Sequence, residues 1–173
     1  MGASRIATAL AVCLAASTAA TVAGAETKPL VRAGTWEAFG GTTLKGRPVC
    51  GVSQEVGGRY FGLKLYSGED IFTIQVGTKE WKLADKARIK VVLRFDAHKP
   101  WNATGTAFHF EDGDSGLQFE VNKSEVTPFM SEFRTSATLR LEFVGSNLAD
   151  WSLSLSGTGA VSDAFLSCNK GLK

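Results

Sequence analysis

The chain has 173 residues, 44% of them apolar and 10% aromatic, and its 19 lysines and arginines against 17 acidic residues give a formal net charge of +2. This ordinary globular composition excludes a disordered, collagen-like or coiled-coil protein, and the small charge gives no electrostatic case for nucleic acid as a partner. The length favours a single domain.

Residues 1–25 have the pattern of a cleaved signal peptide. Arg5 supplies a small positive region, Ile6 to Val22 form an apolar run interrupted by Thr and Ser, and Ala23-Gly24-Ala25 is the small-residue motif that signal peptidase reads. We expect cleavage after Ala25 rather than retention as an N-terminal anchor. No later stretch is apolar enough to span a bilayer, so a periplasmic or secreted protein of a Gram-negative bacterium is expected.

The cysteine count predicts one disulfide bond. Cys13 lies inside the signal peptide, which leaves Cys50 and Cys168 in the mature chain. An exported protein enters an oxidising compartment, where pairing is the usual outcome. The two cysteines have neither a C-x-x-C spacing nor an adjacent histidine, so a structural zinc site and a nucleophilic cysteine are both disfavoured.

Apolar and polar residues alternate through most of the mature chain, which is the period of half-buried β-strands. A loose leader is expected over residues 26–34. About nine strands follow it, near Trp36 to Phe39, Pro48 to Ser53, Tyr60 to Tyr66, Ile71 to Val76, Ile89 to Phe95, Phe108 to Phe110, Phe119 to Val121, Leu139 to Phe143 and Trp151 to Ser156.

Burial of one face fixes the register of two predicted hairpins. In the first hairpin, around a turn at residues 67–70, the facing pairs are Leu65 with Phe72, Leu63 with Ile74 and Phe61 with Val76. In the second hairpin, around a turn at residues 113–116, the facing pairs are Phe108 with Val121 and Phe110 with Phe119, and His109 lies opposite Glu120 on the other face.

Two segments have helical periodicity instead. Thr127 as N-cap and Pro128 as first residue predict a short helix from Pro128 to about Arg134. A second helix, ending near Gly171, is predicted by the spacing of four residues. These are Val161, Ala164, Phe165 and Cys168. This spacing turns Cys168 inward, where it can meet Cys50.

The expected fold is therefore all-β and mainly antiparallel, with two short helices, the last at the C-terminus. It is a single domain over residues 35–173, either a β-sandwich or a half-open barrel. Closely spaced hairpins without βαβ alternation exclude a Rossmann or TIM arrangement.

The residues available for chemistry are few. His109 is predicted on the outer face of a strand and His98 in a loop beside Asp96, so a hydrolase or metal site is permitted but not favoured. The chain lacks the G-x-S-x-G motif of a nucleophile elbow. Residues 111–116 are acidic and glycine-rich like a calcium loop, but Lys123 stands where an EF-hand needs Glu, and a hairpin turn explains them. We predict no metal and no cofactor.

Two tryptophans next to lysines are the candidate binding residues. Trp101 follows Lys99-Pro100, and Trp81 precedes Lys82, both in predicted loops. A loop tryptophan flanked by lysine can anchor a partner or stack on a sugar, although it can equally close one end of the fold. The other two tryptophans, Trp36 and Trp151, lie in strand-like runs and are expected in the core.

The C-terminal segment resembles a known group of proteins. Residues 153–165 lead from a strand through small residues into an apolar helix that ends at Cys168, and Trp36 and Cys50 precede them early in the chain. This arrangement resembles small exported alphaproteobacterial proteins of the invasion-associated locus B type, over about the last 20 residues and the general plan. The resemblance implies a β-rich periplasmic or surface protein that takes part in envelope or host interaction, and it transfers no site residue.

Three classes of function follow. The favoured one is a non-enzymatic interaction module that binds a protein or an envelope component. The first alternative is a small-molecule or lipid carrier in a half-open barrel with a hollow interior. The second is a hydrolase that uses His98 with Asp96. A filled core with an exposed apolar patch would favour the module.

Overall fold

The computed structural model describes residues 26–110 and 112–172, so the predicted signal peptide and Glu111 lie outside the described residues. The described residues form one antiparallel sheet of ten strands. The strands are β1 (Glu26–Ala33), β2 (Trp36–Thr42), β3 (Pro48–Val56), β4 (Arg59–Tyr66), β5 (Ile71–Thr78), β6 (Arg88–Phe95), β7 (Trp101–His109), β8 (Ser115–Asn122), β9 (Thr138–Val144) and β10 (Trp151–Ser154). The all-β, antiparallel prediction is confirmed.

The nine predicted strands are present, and the tenth is the segment predicted as a loose leader. That prediction is wrong for residues 26–33, which pair with β2 along their length. Strand β1 lies at the edge of the sheet and is mostly exposed, so it lacks the apolar alternation by which the other strands were found. Pro29 is tolerated there because an edge strand has one side without ladder bonds, and a bulge follows it.

The two predicted hairpin registers have different outcomes. All three pairs predicted between β4 and β5 are present, for example Leu63 with Ile74. The prediction for β7 and β8 is wrong, because Phe108 faces Gly116 and His109 faces Ser115. The inward position belongs to Ala107, which is 3% exposed and pairs with Leu117. Strand β7 ends at His109 and β8 begins at Ser115.

The sheet follows the order β1-β2-β3-β4-β5-β8-β7-β6-β9-β10 and curls until its two ends approach each other. Trp36 of β2 donates its indole N–H to the carbonyl oxygen of Ser154 at the end of β10, at 3.0 Å. The guanidinium of Arg59 in β4 lies 5.5 Å from the ring centre of Trp151 in β10. Of the two arrangements left open by the sequence, this single curled sheet is the half-open barrel.

A helix fills the interior of the curled sheet. Helix α1 (Val126–Thr135) follows a short 3₁₀ helix at Lys123–Glu125, so it begins two residues before the predicted Pro128 and its N-cap is Glu125 rather than Thr127. Pro128 is still within the first turn, where a backbone N–H has no partner inside the helix. The ring of Phe129 packs on Phe72, Phe95 and Trp101, and that of Phe133 on Trp36, Phe61 and Phe95.

The C-terminal helix α2 (Thr158–Gly171) packs across β1, β2 and β3 and against α1. Val161 and Phe165 are buried, as their spacing predicts. The predicted disulfide between Cys50 of β3 and Cys168 of α2 is present, with Cα atoms 6.0 Å apart. It ties the last helix to an early strand, as expected. Within the described residues, the helices are too short or too polar to cross a bilayer.

Candidate functional site

The structure places Trp81 in the core. Its side chain is only 7% exposed, and the indole stacks on Trp151 at 5.0 Å and meets the edge of Phe143 at 5.2 Å. This tryptophan closes one end of the fold, which is the alternative given for it above. The prediction of Trp81 as a contact residue is therefore wrong, because its ring is used by the core. Lys82, beside it, is exposed.

Trp101 is the first residue of β7 rather than part of a loop, and it is half-buried. Its indole N–H donates to a carboxylate oxygen of Glu132 in α1 at 2.7 Å, and its ring meets Phe129 at 5.3 Å. These contacts fix the ring against α1. Lys99 is exposed in the preceding turn. The two tryptophans contact different side chains, and the structure does not join them into one surface.

Asp96 and the two histidines do not form a shared site. Asp96 accepts hydrogen bonds from the backbone N–H groups of Ala137 and Thr138, at 2.7 and 3.0 Å, so its carboxylate ties the β6–β7 turn to the start of β9. His98 is exposed in that turn. His109 is exposed at the end of β7, at the rim of the groove described next. Among the described residues, no group of three or more His, Cys, Asp or Glu side chains has an arrangement suited to a metal ion.

The outer face of the sheet carries an open groove of about 770 Å³, here called the outer groove. Its lining comes from β3, β4, β5 and β7 and from the β7–β8 turn. Along β4, Tyr60 and Lys64 of the groove alternate with Phe61, Leu63 and Leu65 of the core. The groove therefore lies on the side of the sheet opposite the filled interior.

Three half-buried aromatic rings form one wall of the outer groove. The ring of Phe110 lies 5.5 Å from that of Tyr60 and 4.6 Å from that of Phe108, and both neighbours are steeply inclined to it. Edge-to-face pairs of this kind are favourable beyond the area they bury. Because the core lies on the other face of the sheet, these rings form a separate aromatic cluster.

Glycines in the neighbouring strands provide the space for these rings. A Cβ atom at Gly77 would lie 2.5 Å from Phe110, and one at Gly116 would lie 2.7 Å from Phe110 and 2.8 Å from Phe108. Both contacts are too short for any larger residue without displacing a ring. The ring of Tyr60 lies over Gly62 in the same way. The rings thus rest directly on the backbone of the sheet.

A polar row crosses the sheet beside the rings. The ammonium group of Lys64 donates to the amide oxygen of Gln75 at 2.9 Å, and the amide nitrogen of Gln75 donates to the amide oxygen of Gln118 at 2.9 Å. Gln118 continues this row into a neighbouring hollow over β7 and β8. Each bond fixes the orientation of the next side chain, so the remaining N–H groups of the row have fixed directions.

Burial changes the ionisation of two groups in the outer groove. It raises the pKa of Tyr60 to about 12, with smaller contributions from Tyr66 and Glu55 that act in the same direction. Burial also lowers the pKa of Lys64, because desolvation disfavours the charged form. The phenol of Tyr60 is therefore neutral at physiological pH and keeps its O–H as a donor.

Carboxylates lie around the outer groove. Asp112 and Asp114 come from the β7–β8 turn, where the Asp112 carboxylate accepts the backbone N–H of Asp114 at 3.1 Å, and Glu55 comes from the end of β3. With Lys64 and Lys79, the described lining residues hold three carboxylates and two ammonium groups, a net charge of −1. Residues 112–114 lie in the turn between β7 and β8, whereas Ser115 and Gly116, which were predicted to belong to the turn, begin β8.

Sequence reasoning missed the outer groove because its signal is spread over several strands. Phe108 and Phe110 alternate like core residues, so the sequence pattern predicts that they face the core. The informative signal is the occurrence of glycines within strands, at Gly62, Gly77 and Gly116, because a glycine there permits close approach of another group. Only the observed register shows that an aromatic ring covers each of them.

The fold and this groove define a small β-rich protein with a filled interior and an open site on its outer face. No protein family model matches the chain, and no curated protein matches it. Among solved structures, its fold is similar to that of invasion associated protein B from Bartonella henselae, with a TM-score of 0.53, 14% sequence identity, and coverage of 81% of this chain and 97% of the other. The resemblance given by the C-terminal segment is confirmed at the level of the fold.

Proposed function

We propose that the chain is an exported, non-enzymatic interaction module that binds a protein or another envelope component in the outer groove. The observation that carries the proposal is the cluster of Tyr60, Phe108 and Phe110 on the outer face. A half-solvated antiparallel sheet places polar residues on its outer face, and aromatic clusters there are typical of contact surfaces.

Export is supported by three independent features. Residues 1–25 have the pattern of a signal peptide, and Cys50 and Cys168 form a disulfide, a bond that persists in oxidising compartments. The similar structure from Bartonella henselae is named an invasion associated protein. A role in envelope or host interaction agrees with all three, and we place the protein in the periplasm or outside the cell.

The interior of the sheet supports this function over a carrier. A carrier in a half-open barrel needs a hollow core, whereas Phe129, Met130 and Phe133 of α1 enter the sheet and are at most 1% exposed. Their ring contacts reach β2, β4, β5, β6 and β7. These side chains fill much of the space that a lipid would need. The hollow that remains beside Trp101 and Phe129, of about 450 Å³, is smaller than the outer groove.

Site-specific photocrosslinking in the producing cell tests the proposal. A photoreactive phenylalanine analogue at His109 is exposed at the rim of the outer groove, and the same analogue at Lys99 reports on the loop predicted from the sequence. We expect an envelope-fraction adduct from His109 and none from Lys99. Adducts from Lys99 alone, or from neither position, would overturn the assignment of the groove.

A further inference from the structure

We propose that the outer groove binds a neutral, extended oligosaccharide, an inference that rests on the proposed function and names the ligand class. The groove combines three features that such a ligand requires together. These are aromatic rings that rest on the sheet, a row of oriented N–H donors and carboxylates at the rim.

The aromatic wall fits the apolar face of a sugar ring. A pyranose presents C–H groups on its faces, and these pack on the π-surface of an aromatic ring, while its hydroxyl groups project from the edges. Phe110 rests on Gly77 and Gly116, so the backbone supports it from beneath and it cannot sink into the sheet. The wall is therefore rigid before the ligand arrives, which lowers the entropic cost of binding.

The polar groups fit hydroxyls better than they fit a peptide. Lys64 uses one N–H on its neighbour, Gln118 uses its amide oxygen, and Gln75 uses both its amide oxygen and one N–H. All three keep further N–H groups for a ligand's acceptors. The carboxylates of Glu55, Asp112 and Asp114 can only accept hydrogen bonds, so they need hydrogen-bond donors from the ligand. A hydroxyl both donates and accepts, so a saccharide satisfies both sets. A proline-rich peptide has carbonyl acceptors but few backbone N–H donors, and it leaves the carboxylates unpaired.

Charge separates neutral from acidic saccharides. The described lining residues have a net charge of −1, and their three carboxylates lie at the rim, where an approaching polyanion meets them. Like charges juxtaposed at a binding surface are strongly unfavourable. A sulfated or phosphorylated glycan is therefore disfavoured, and a neutral one is not.

The length of the outer groove indicates an oligomer rather than a single sugar. Its lining and the polar row cross β3, β4, β5, β8 and β7. Four interstrand spacings of about 4.8 Å amount to roughly 19 Å, the length of about four sugar residues. A tetrasaccharide is the smallest ligand expected to contact both the aromatic wall and the polar row.

The test is a titration of the mature, disulfide-bonded chain, followed by two-dimensional NMR. The probes are cellotetraose, chitotetraose, maltotetraose and mannotetraose at millimolar concentration, with dextran sulfate and a proline-rich decapeptide as the competing ligand classes. We expect at least one neutral tetrasaccharide to shift the backbone amides of Gly77 and Gly116 and the side-chain amides of Gln75 and Gln118. Binding of dextran sulfate or of the peptide alone, or of none of the probes, would overturn the inference.

Two variants separate binding from sheet stability. Phe110→Ala removes a ring from the groove, and Phe39→Ala removes a ring that lies over Gly51 on the same sheet but outside the groove lining. If the rings only cover the backbone at these glycines and do not contact a ligand, both variants lose stability and neither binds more weakly. We expect Phe110→Ala to weaken tetrasaccharide binding by about tenfold or more and Phe39→Ala to leave it unchanged. Gln118→Met, which keeps the side-chain length, serves as the second groove variant and should also bind more weakly.

The crosslinking experiment at His109 separates this inference from the proposed function. An adduct whose added mass is removed by periodate or glycosidase treatment supports the saccharide. An adduct whose added mass is removed only by protease would leave the interaction module intact and overturn the saccharide inference. Absence of any adduct would count against the proposed function itself.

Discussion

The indole N–H of Trp36 donates a hydrogen bond of 3.0 Å to the carbonyl oxygen of Ser154, 118 residues further along the chain. Trp36 belongs to the second strand of the sheet and Ser154 to the last, so the bond joins the two ends of the curled sheet. The same ring packs against Phe133 of α1 at 4.9 Å. One side chain therefore links the closure of the sheet to the filling of its interior.

We predict that Trp36→Phe destabilises the protein more than Trp151→Phe does. Both tryptophans are at most 2% exposed and lose the same volume, but the contacts found for Trp151 are with rings and a guanidinium group. Only Trp36→Phe leaves a backbone carbonyl without its donor, which costs an extra 1–3 kcal/mol or so. Urea unfolding of both variants measures the difference, and equal losses would show that the bond does not stabilise the closure.

Loss of the disulfide should cost about 2–5 kcal/mol of stability, because Cys50 and Cys168 close a loop with a sequence separation of 118 residues. The suitable variant is Cys50→Ala with Cys168→Ala, since Cys50 is fully buried and serine there would bury a hydroxyl group. Reductant should destabilise the natural chain by a similar amount and leave the double variant unchanged. If reductant also destabilised the double variant, its effect would not come from this bond.

Alkaline pH should destabilise the fold through Tyr60. Burial raises the pKa of Tyr60 from 10.0 to about 12, so the unfolded chain loses this proton first. The stability contributed by the neutral phenol is complete below pH 10 and falls as the pH rises towards 12. Comparison with Tyr60→Phe isolates this contribution from that of Lys64, whose lowered pKa acts with the opposite sign.

The chain has only two tyrosines, so their ionisation is directly observable. Burial also raises the pKa of Tyr66, with Glu69 acting in the same direction and Arg47 against it. In a Tyr66→Phe variant, absorbance at alkaline pH reports on Tyr60 alone. We expect its midpoint to stay well above pH 10, because burial, the largest cause of the raised pKa, is retained while the smaller contribution of Tyr66 is lost. A midpoint near pH 10, while the protein is still folded, would show that Tyr60 is solvated.

Much of the fold could be predicted because one face of most strands is buried. The β4–β5 register follows from three apolar pairs, and any shift by one residue would expose all of them. The disulfide follows from compartment and count. Strand β1 could not be found in this way, since Leu30 is 48% exposed and the strand is held by backbone bonds to β2 rather than by a buried face.

The candidate site could not be predicted because it depends on relations between strands. Whether Trp81 is an exposed anchor or a core residue depends on its contacts with Phe143 and Trp151. Both lie more than sixty residues away in the chain, so the sequence around Trp81 does not show these contacts. Phe108 alternates like a core residue, yet it lies outside because Gly116 opposite it leaves room for the ring. The alternation of residues along one strand does not show which residue of the neighbouring strand lies opposite each side chain.

The observed β7–β8 register gives the final prediction, since the two registers assign opposite faces to the same residues. Ala107 is 3% exposed and pairs with Leu117, whereas Thr106 is exposed and pairs with Gln118. Ala107→Asp buries a charge without a partner and should lower the melting temperature sharply or abolish folding, while Thr106→Asp should change stability by only about 0.5 kcal/mol. Thermal melts of the two variants compare the registers directly. If Thr106→Asp were the damaging change, Phe108 would face the core as its alternation suggested, and the aromatic wall of the outer groove would not exist.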